Sequence, residues 1–468
     1  MLGLVKHFLK LILVPALYSA WMVTIILTVV KEARWGFYLL VFLIPQPNVW
    51  YKFFDYPFGN NTIDLLFVAL VLGIMFQKKG FKMTPAVPFI FALLIFSYFS
   101  LWKASFNFDL PVPLTTSNIY LLEWKNYAQM ILLYFVALNV MKEEDNKRKV
   151  IILMSFVVLF IAFRSYRNFD GGDVFNYDKR VGGPFERVGL GANHFGAFIA
   201  DYCAVFLGLF LFDKNKWRRL LFLGTVLLGL HPLFFAYSRG AYLAAFAVVV
   251  IFGILKKRSL LIGVFVVLIA WQTILPASVV DRIQMTETPE GELEHSAGGR
   301  ILLWQLAIDL FKENPITGIG FAGYQISAGG QTLADGEVLP ENQDVHNYYM
   351  RVLCEQGLVG FSILVLVLLM ALRSGWKLYR SAETPFQKGL GFGFVGCAIS
   401  MIITNMFGDR WSYFVLGSFF WIFWGLVDRT TINIAEMKAS ERLRQESEDE
   451  AYLNGEKPAP ALSNNFSG

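Results

Sequence analysis

Long apolar runs dominate this chain and restrict it to one class of fold. A helix needs about 20 predominantly apolar residues to cross a bilayer, and many stretches of the sequence approach that length. Hydrophobic residues make up 56% of the chain and charged residues only 16%, whereas soluble domains average roughly 45–50% and 25%. The sequence therefore predicts an all-α, polytopic integral membrane protein. The predicted crossings lie near 62–77, 86–102, 125–141, 150–165, 190–213, 219–236, 241–255, 259–275, 346–371, 388–405 and 412–428.

Charged loops between the crossings predict the orientation of the chain. Several short basic loops fall on one side when the crossings alternate, and the positive-inside rule makes that side the cytoplasm. These loops are 77–82, 142–149, 214–219, 256–258 and 373–388. The more polar segments 103–124, 165–189 and 276–345 then face outward.

The N-terminal stretch leaves the number of crossings open. Residues 2–30 are one long span or two half-spans broken at Pro15, and the apolar stretch 35–45 is short. With Lys6 and Lys10 in the cytoplasm, an even number of crossings precedes position 78, and about twelve are expected in all. No small-residue cleavage site stands out, so we expect no removable signal peptide.

The chain divides into a membrane domain and a polar tail. Residues 1–435 are predicted to form the membrane domain, which includes a long extracytoplasmic loop at about 276–345 with an amphipathic helix. Residues 436–468 are charged and polar, and we expect them to be disordered and cytoplasmic.

Several function classes lack their sequence signals here. The three cysteines and five histidines are scattered, without HxxxH or CxxC, so neither a disulfide framework nor a metal site is predicted. Walker A is absent, and no DxD appears outside the tail. The net charge of +5 follows from the loop bias and needs no nucleic-acid partner. We expect no cofactor.

Arginines in the outer segments are candidates for binding an anion. Arg180 and Arg187 lie among nearby acids in 165–189, which fits either surface ion pairs or bidentate phosphate contacts. Arg239 opens helix 241–255, where a cation opposes the helix dipole and needs a compensating anion, unless it snorkels to the headgroups. Arg300 precedes ILLWQLAIDLF, a predicted helix at the membrane surface, and contacts either a phospholipid or a ligand.

His346 stands where the polar loop ends and the apolar run 346–371 begins. We expect it in the first turn of a membrane helix, where the dipole favours neutral imidazole and can attract an anion. The position therefore offers a proton acceptor or a place for a phosphate-like group. Asn347 beside it, Asn193 at another helix start and Tyr324 in the long loop are candidates for substrate binding.

Three further polar features have ordinary interpretations. The stretch 318–323 reads GIGFAG, but no strand precedes it, so we reject a dinucleotide site. Its glycines are expected to permit tight turns beside a ligand or the membrane. Asp409 and Arg410 are interpreted as a local ion pair, and His194 as an interfacial polar residue.

Taken together, these motifs resemble the O-antigen ligase family, which includes lipopolysaccharide ligases, glycan polymerases and protein O-oligosaccharyltransferases. The resemblance rests on GANHFGA at 191–197, SRGAYLA at 238–244, GRILLWQLAIDLFKENPITGIGFAGY at 299–324 and HNYYMRVLCEQGLVG at 346–360. The stretch FDYPFGNNTIDLLF at 54–67 is similar to members linked to exosortase systems.

The resemblance implies a metal-independent, inverting transfer of a glycan from undecaprenyl diphosphate to an acceptor, at the periplasmic face of the bacterial inner membrane. The family's functional positions match Arg239, Arg300 and His346. The arginines would stabilise the diphosphate leaving group, and His346 would deprotonate the acceptor hydroxyl or bind the diphosphate as imidazolium. The implied partners are the lipid-linked donor, a glycan, lipid or protein acceptor, and membrane lipids.

The sequence leaves other functions open. Within the family, the alternatives are a repeat-unit polymerase and a protein O-oligosaccharyltransferase. In another class, a transporter of lipid-linked glycans would need a polar path across the membrane, whereas the polar residues gather at one face. The only prominent carboxylate within a predicted span is Asp201, which is little evidence for a proton relay.

Overall fold

Helices make up the regular structure in the part of the chain that the structure describes. This computed structural model describes residues 2–77, 81–171, 179–285, 295–331, 338–340 and 343–454. Among them there is no strand, and the all-α prediction is confirmed. The α-helices are α1 (Leu2–Val30), α2 (Ala33–Leu43), α3 (Pro47–Trp50), α4 (Thr62–Phe76), α5 (Val87–Asn107), α6 (Ile119–Val140), α7 (Glu144–Arg167), α8 (Ala192–Phe212), α9 (Lys216–Phe235), α10 (Arg239–Leu255), α11 (Ser259–Ile274), α12 (Ala277–Gln284), α13 (His295–Glu313), α14 (Gly323–Ala328), α15 (Tyr348–Ser381), α16 (Pro385–Thr404) and α17 (Phe414–Leu453).

Many of these helices are long and apolar enough to cross a membrane. The described residues contain eight such helices, and a ninth if the bent pair α11 and α12 counts as one span. The helices α2 and α10 are apolar but shorter. The predicted crossings at 125–141 and 412–428 lie in α6 and α17, which pack against each other. We name the end that carries residues 405–413 the outer end, after the predicted orientation.

The N-terminal helices correct the predicted parity of crossings. Near the outer end, the Tyr18 hydroxyl donates to the Pro57 carbonyl at 2.7 Å. At the opposite end, Tyr38 of α2 donates to the Asn146 side chain of α7 at 3.2 Å. Thus α1 runs from the outer end inward, α2 and α3 return outward, and α4 runs inward. Three passages precede residue 78 instead of an even number, which places the start of α1 with Lys6 at the outer end.

The centre of the bundle is α8, which packs closely against α16. A Cβ on Gly208 would lie 2.3 Å from the Cα of Gly393, so the two backbones touch where small residues allow it. Asp201 lies on the same helix and accepts a hydrogen bond from Ser400 of α16 at 2.6 Å. The buried carboxylate within the predicted spans therefore joins two helices.

A break in α15 receives the segment that follows α13. Gly357 has φ +62° and ψ −165° and interrupts the helix. The amide of Leu358 donates to the Pro315 carbonyl at 2.9 Å, and the amide of Ile319 donates to the Cys354 carbonyl at 2.9 Å. The loop backbone thus replaces helical hydrogen bonds at the break and fixes α13 relative to α15.

The glycine-rich stretch 318–323 makes this insertion possible. Gly318 has φ +70°, and a Cβ there would lie 2.2 Å from the Glu355 carbonyl carbon. Gly320 has φ +118°, and a Cβ there would lie 2.5 Å from the Cα of Ala104 in α5. These glycines allow a close backbone approach, although the neighbours are two helices and not a ligand or the membrane as predicted.

The last helix is longer than the sequence predicts. α17 continues to Leu453, through part of the stretch 436–468 that we expected to be disordered. Residues 435–450 are exposed, and Arg444 pairs with Glu448 one turn later at 2.7 Å. Such i,i+4 pairs favour an exposed helix. Residues 455–468 lie outside the described part of the chain.

Candidate functional site

Residues 405–413, the turn between α16 and α17, join the starts of three helices at the outer end. The amide of Tyr348 in α15 donates to the Asn405 carbonyl at 2.9 Å. A Cβ on Gly240 of α10 would lie 2.7 Å from the Cβ of Phe407, and the ring of His194 in α8 lies 5.3 Å from that of Tyr413. This turn, which we call the 405–413 turn, is therefore the centre of the outer face.

Asp409 and Arg410 do not form the predicted local pair. Arg351 of α15 donates to the Asp409 carboxylate at 2.5 Å and also binds Glu355 at 3.2 Å. Ser412 donates to the other Asp409 oxygen at 2.6 Å. Asp409 is engaged by these groups and not by Arg410, so the interpretation of the two as a local ion pair is wrong.

His346 lies just before α15, not in its first turn. Asn347 is the N-cap residue, and its side-chain oxygen accepts from the amides of Tyr349 and Met350 at 3.1 and 3.3 Å. With the Tyr348 amide bonded to the Asn405 carbonyl, the first amides of the helix are satisfied. This helix end therefore offers no anion site of the kind we expected, and Asn347 holds the helix start.

A carboxylate that the sequence analysis missed positions His346. The Asp344 Oδ1 accepts the His346 backbone N–H at 3.1 Å, and Oδ2 lies 3.5 Å from His346 Nδ1. Burial raises the pKa of Asp344, but the hydrogen bonds and charge of His346, with the charge of Arg351, lower it to about 2. His346 has φ +54°, a conformation that a non-glycine residue keeps only when its surroundings hold it. The side chain is 40% exposed.

The helix that carries Arg300 is fastened to the backbone beside His346. Trp304 of α13 donates its indole N–H to the Val345 carbonyl at 3.1 Å, and Arg300 lies one turn earlier on the same face of the helix. The Tyr324 hydroxyl donates to the Leu303 carbonyl at 3.1 Å, and Tyr324 is buried. Tyr324 therefore packs beneath α13 instead of lining an open site.

Arg410 is a buried cation close to His346, Asp344 and Arg300, which we call the cluster. It is 3% exposed, and its Nε has no hydrogen-bond partner. Burial lowers its pKa, the charges of Asp201 and Asp344 raise it, and the charge of Arg300 lowers it. Arg410 therefore lies within electrostatic range of both Arg300 and the carboxylate that holds His346.

His194 lies beside the same cluster. Both of its ring nitrogens are buried without a hydrogen-bond partner, and it interacts electrostatically with Arg410, Asp344 and His346. Asn193 precedes it in the first turn of α8. We interpreted His194 as an ordinary interfacial residue, but its position puts a second imidazole near the cluster.

Arg239 is the first residue of α10, after the N-cap Ser238. Its neighbour Gly240 contacts the 405–413 turn at Phe407, and Ser238 lies close to Gly196 near the start of α8. The structure therefore brings the helix starts with Arg239 and Asn193 to the turn that also holds α15 behind His346.

The other two arginines of the predicted set lie elsewhere on the outer face. Arg180 lines a cavity of about 360 Å³ together with Arg164 and Lys179. Arg187 is exposed and stacks over the ring of Tyr51 at 5.1 Å. Two other cavities on this face have volumes of about 420 and 440 Å³. His346, Arg239 and Arg300 line none of these three cavities.

The described residues contain no group of three or more His, Cys, Asp or Glu side chains that could hold a metal ion. The cysteines are Cys203, Cys354 and Cys397, and all three are free thiols.

Residues 224–365 match the family model described as O-antigen ligase. The match contains Arg239, Arg300 and His346 and reaches past the break in α15. It supports the assignment of the chain to the O-antigen ligase family. No curated protein matches the chain.

Proposed function

Because residues 224–365 match O-antigen ligase, we propose that this membrane protein transfers a glycan from undecaprenyl diphosphate to an acceptor, the lipid A core or another glycan. The reaction would take place at the periplasmic face of the bacterial inner membrane. The observation that supports this most is the arrangement around the 405–413 turn, where the elements of Arg239, Arg300 and His346 meet. Transfer from a diphosphate would use cations beside a proton acceptor, and the elements that meet near this turn carry both kinds of side chain, which supports the proposal.

In the proposed reaction, the acceptor hydroxyl oxygen attacks the anomeric carbon of the donor from the face opposite the diphosphate. The new glycosidic bond forms as the bond to the diphosphate oxygen breaks, so the configuration inverts. The hydroxyl proton passes to His346, and undecaprenyl diphosphate leaves with the bonding electrons. A positioned general base contributes on the order of 10²–10⁴-fold to such a step.

Arginines would stabilise the negative charge that builds up on the leaving group. Arg239 and Arg300 are the predicted pair, and the structure adds Arg410 as a buried cation in electrostatic range of Arg300. Preorganised donors of this kind stabilise a transition state because they need no reorientation as the charge develops. We propose that these guanidinium groups carry the charge without a metal ion.

The contact with Asp344 supports the base role for His346 over the alternative as a diphosphate ligand. A carboxylate beside Nδ1 favours the tautomer with its proton on Nδ1, so that Nε2 can accept the hydroxyl proton. The nearby carboxylate also opposes the approach of a second anion to the same ring. Asn193, beside the cluster, would bind a sugar hydroxyl, and Arg180 and Arg187 would meet more distant parts of the glycan.

Product analysis tests the proposal and separates it from its relatives. Membranes that contain the chain, supplied with the lipid-linked glycan of the same cell, should yield a glycan joined to a lipid or glycan acceptor. A ladder of chain lengths on the carrier lipid would indicate a repeat-unit polymerase, and glycosylated proteins would indicate a protein O-oligosaccharyltransferase. Translocation of the intact donor in proteoliposomes, without a new glycosidic bond, would contradict the proposal.

A further inference from the structure

A second polar site lies beside the cluster, in the cavity of about 420 Å³ between α6, α14, α15 and the 405–413 turn. Its volume falls within the roughly 300–1,000 Å³ typical of small-molecule pockets. Tyr348, two residues after His346, forms part of its wall, as does Tyr413. Tyr413 also contacts the His194 ring at 5.3 Å. The cavity therefore adjoins the cluster without including its predicted catalytic residues.

The lining of this cavity is rich in hydrogen-bond acceptors. The side-chain oxygens of Gln325 and Gln356 are buried and have no hydrogen-bond partner. The carboxylates of Glu123 and Glu355 also line the cavity. Buried acceptors without partners are unfavourable, so a ligand that supplies hydrogen-bond donors would be stabilised here.

The one cation in this lining is already engaged. Arg351 donates to Glu355 at 3.2 Å and to Asp409 at 2.5 Å, and to Ser412 at 3.1 Å. A phosphate or a carboxylate entering the cavity would therefore meet Glu123 and Glu355 without an uncommitted guanidinium to offset them. The charge of the lining favours a neutral or positively charged ligand.

Aromatic side chains complete the wall. Tyr127 and Tyr348 join their hydroxyls at 3.1 Å, and Phe321 lies beside Tyr127 with ring centroids 6.1 Å apart. Ring faces of this kind pack against apolar C–H surfaces. A cavity that combines aromatic faces with acceptor oxygens suits a sugar, which presents C–H faces and hydroxyl donors together.

We propose that this cavity binds a neutral or amino sugar of the transferred glycan, and excludes acidic sugars and the lipid phosphate. The inference rests on the proposed transfer function, since it assigns the sugar class to a site next to the reacting groups. Gln325, Gln356 and Glu123 are the residues that would read the hydroxyl or amino donors.

Binding of defined oligosaccharides to the full chain in lipid nanodiscs tests the proposal. The probes are the N-acetylglucosamine trimer, the glucosamine trimer and trigalacturonate, each followed by saturation-transfer NMR. We expect both amino-sugar trimers to receive saturation and trigalacturonate to bind at least about tenfold more weakly, because its carboxylates would meet the carboxylates of Glu123 and Glu355.

Two substitutions localise the binding. Gln356→Leu should weaken both amino-sugar trimers about tenfold, and Glu123→Gln should weaken the glucosamine trimer more than its neutral counterpart. Gln445→Leu, on the exposed extension of α17, is the matched control and should change neither. A folded Gln356→Leu protein with unchanged binding, equal binding of trigalacturonate, or no binding of either amino-sugar trimer would overturn the proposal.

Transfer measured on the same preparations separates the two hypotheses. If transfer requires His346 but the trimers do not bind, only the sugar site is wrong. If transfer is absent from the wild-type chain or independent of His346, the proposed function fails, whatever the trimers do.

Discussion

The carboxylate of Asp344 holds His346 at two points. One oxygen accepts the His346 backbone N–H at 3.1 Å, and the other lies 3.5 Å from Nδ1 of the ring. The first contact supports a backbone with φ +54°, and the second orients the imidazole. Asp344 lies two positions before His346 and outside α15. It therefore orients the imidazole that is proposed to accept the proton.

Replacing Asp344 by Asn should lower glycan transfer while leaving the fold intact. Asn can still accept the backbone N–H, but it removes the charge that favours the Nδ1–H tautomer. We expect a loss of turnover smaller than the roughly 10²–10⁴-fold of losing the base itself, with donor affinity little changed. Asp309→Asn, on the exposed face of α13, is the control. Unchanged turnover in the Asp344 variant would show that the carboxylate does not position the ring.

The low pKa of Asp344 predicts a pH dependence of stability. Its pKa falls from the ordinary 3.8 to about 2 in the folded chain, so the unfolded chain binds its proton first as the pH falls. The stabilising contribution is therefore complete above about pH 4 and is lost as the pH drops through 2. Thermal unfolding of the wild type and Asp344→Asn should differ near pH 5, and the difference should shrink as the pH falls below 4. A difference that stayed constant from pH 5 to 3 would contradict the lowered pKa of Asp344.

Trp304→Phe should separate α13 from the His346 segment. Phe retains the packing but lacks the indole N–H that donates to Val345 at 3.1 Å. A hydrogen bond of this kind contributes about 0.5–1.5 kcal/mol, so we expect transfer to fall roughly threefold to tenfold, with Arg300 less well placed. Steady-state transfer at several donor concentrations is the measurement. If Trp304→Phe is as active as the wild type, this hydrogen bond does not help to position Arg300.

Alanine at Gly318 or Gly357 should destabilise the outer loop. Both positions have positive φ, and an added Cβ would lie 2.2 Å from the Glu355 carbonyl carbon at Gly318 and 2.5 Å from the Ile316 carbonyl carbon at Gly357. We expect a loss of more than about 1–3 kcal/mol for each, seen as a lower melting temperature in detergent. Gly299→Ala, in helix α13 where a Cβ meets nothing within 4 Å, is the control and should not lower the melting temperature. Equal melting temperatures for Gly318→Ala and Gly299→Ala would argue against the inserted segment.

The apolar runs were enough to predict the helical membrane fold, because each long run has few ways to satisfy its backbone in a bilayer. The start of the chain was less predictable. The charge pattern of the loops predicted that Lys6 is cytoplasmic. The contact between Tyr38 and Asn146 shows instead that α2 begins a return passage. That contact joins residues 108 positions apart, and no local sequence pattern predicts it.

From the sequence, only those residues of the candidate site could be predicted whose polar side chains stand out beside apolar helices. Arg300 and His346 stand out as polar residues next to apolar helices, but the 405–413 turn is short and reads as an ordinary charged turn. Its importance comes from the long-range pairing of Asp409 with Arg351, 58 positions earlier, and from Arg410 being left to face the cluster. Asp344 carried one weak signal, an acid two residues before a histidine, and only the fold shows that it binds that histidine.

The most direct test of the account compares His346→Ala, His346→Gln and the wild type in membranes, with donor binding and glycan transfer measured separately. If His346 is the proton acceptor, both variants should bind the lipid-linked donor as the wild type does and should transfer glycan about 10²–10⁴-fold more slowly. Transfer by His346→Ala at the wild-type rate would contradict the central claim, and a loss confined to donor binding would replace the base role with a diphosphate-binding one.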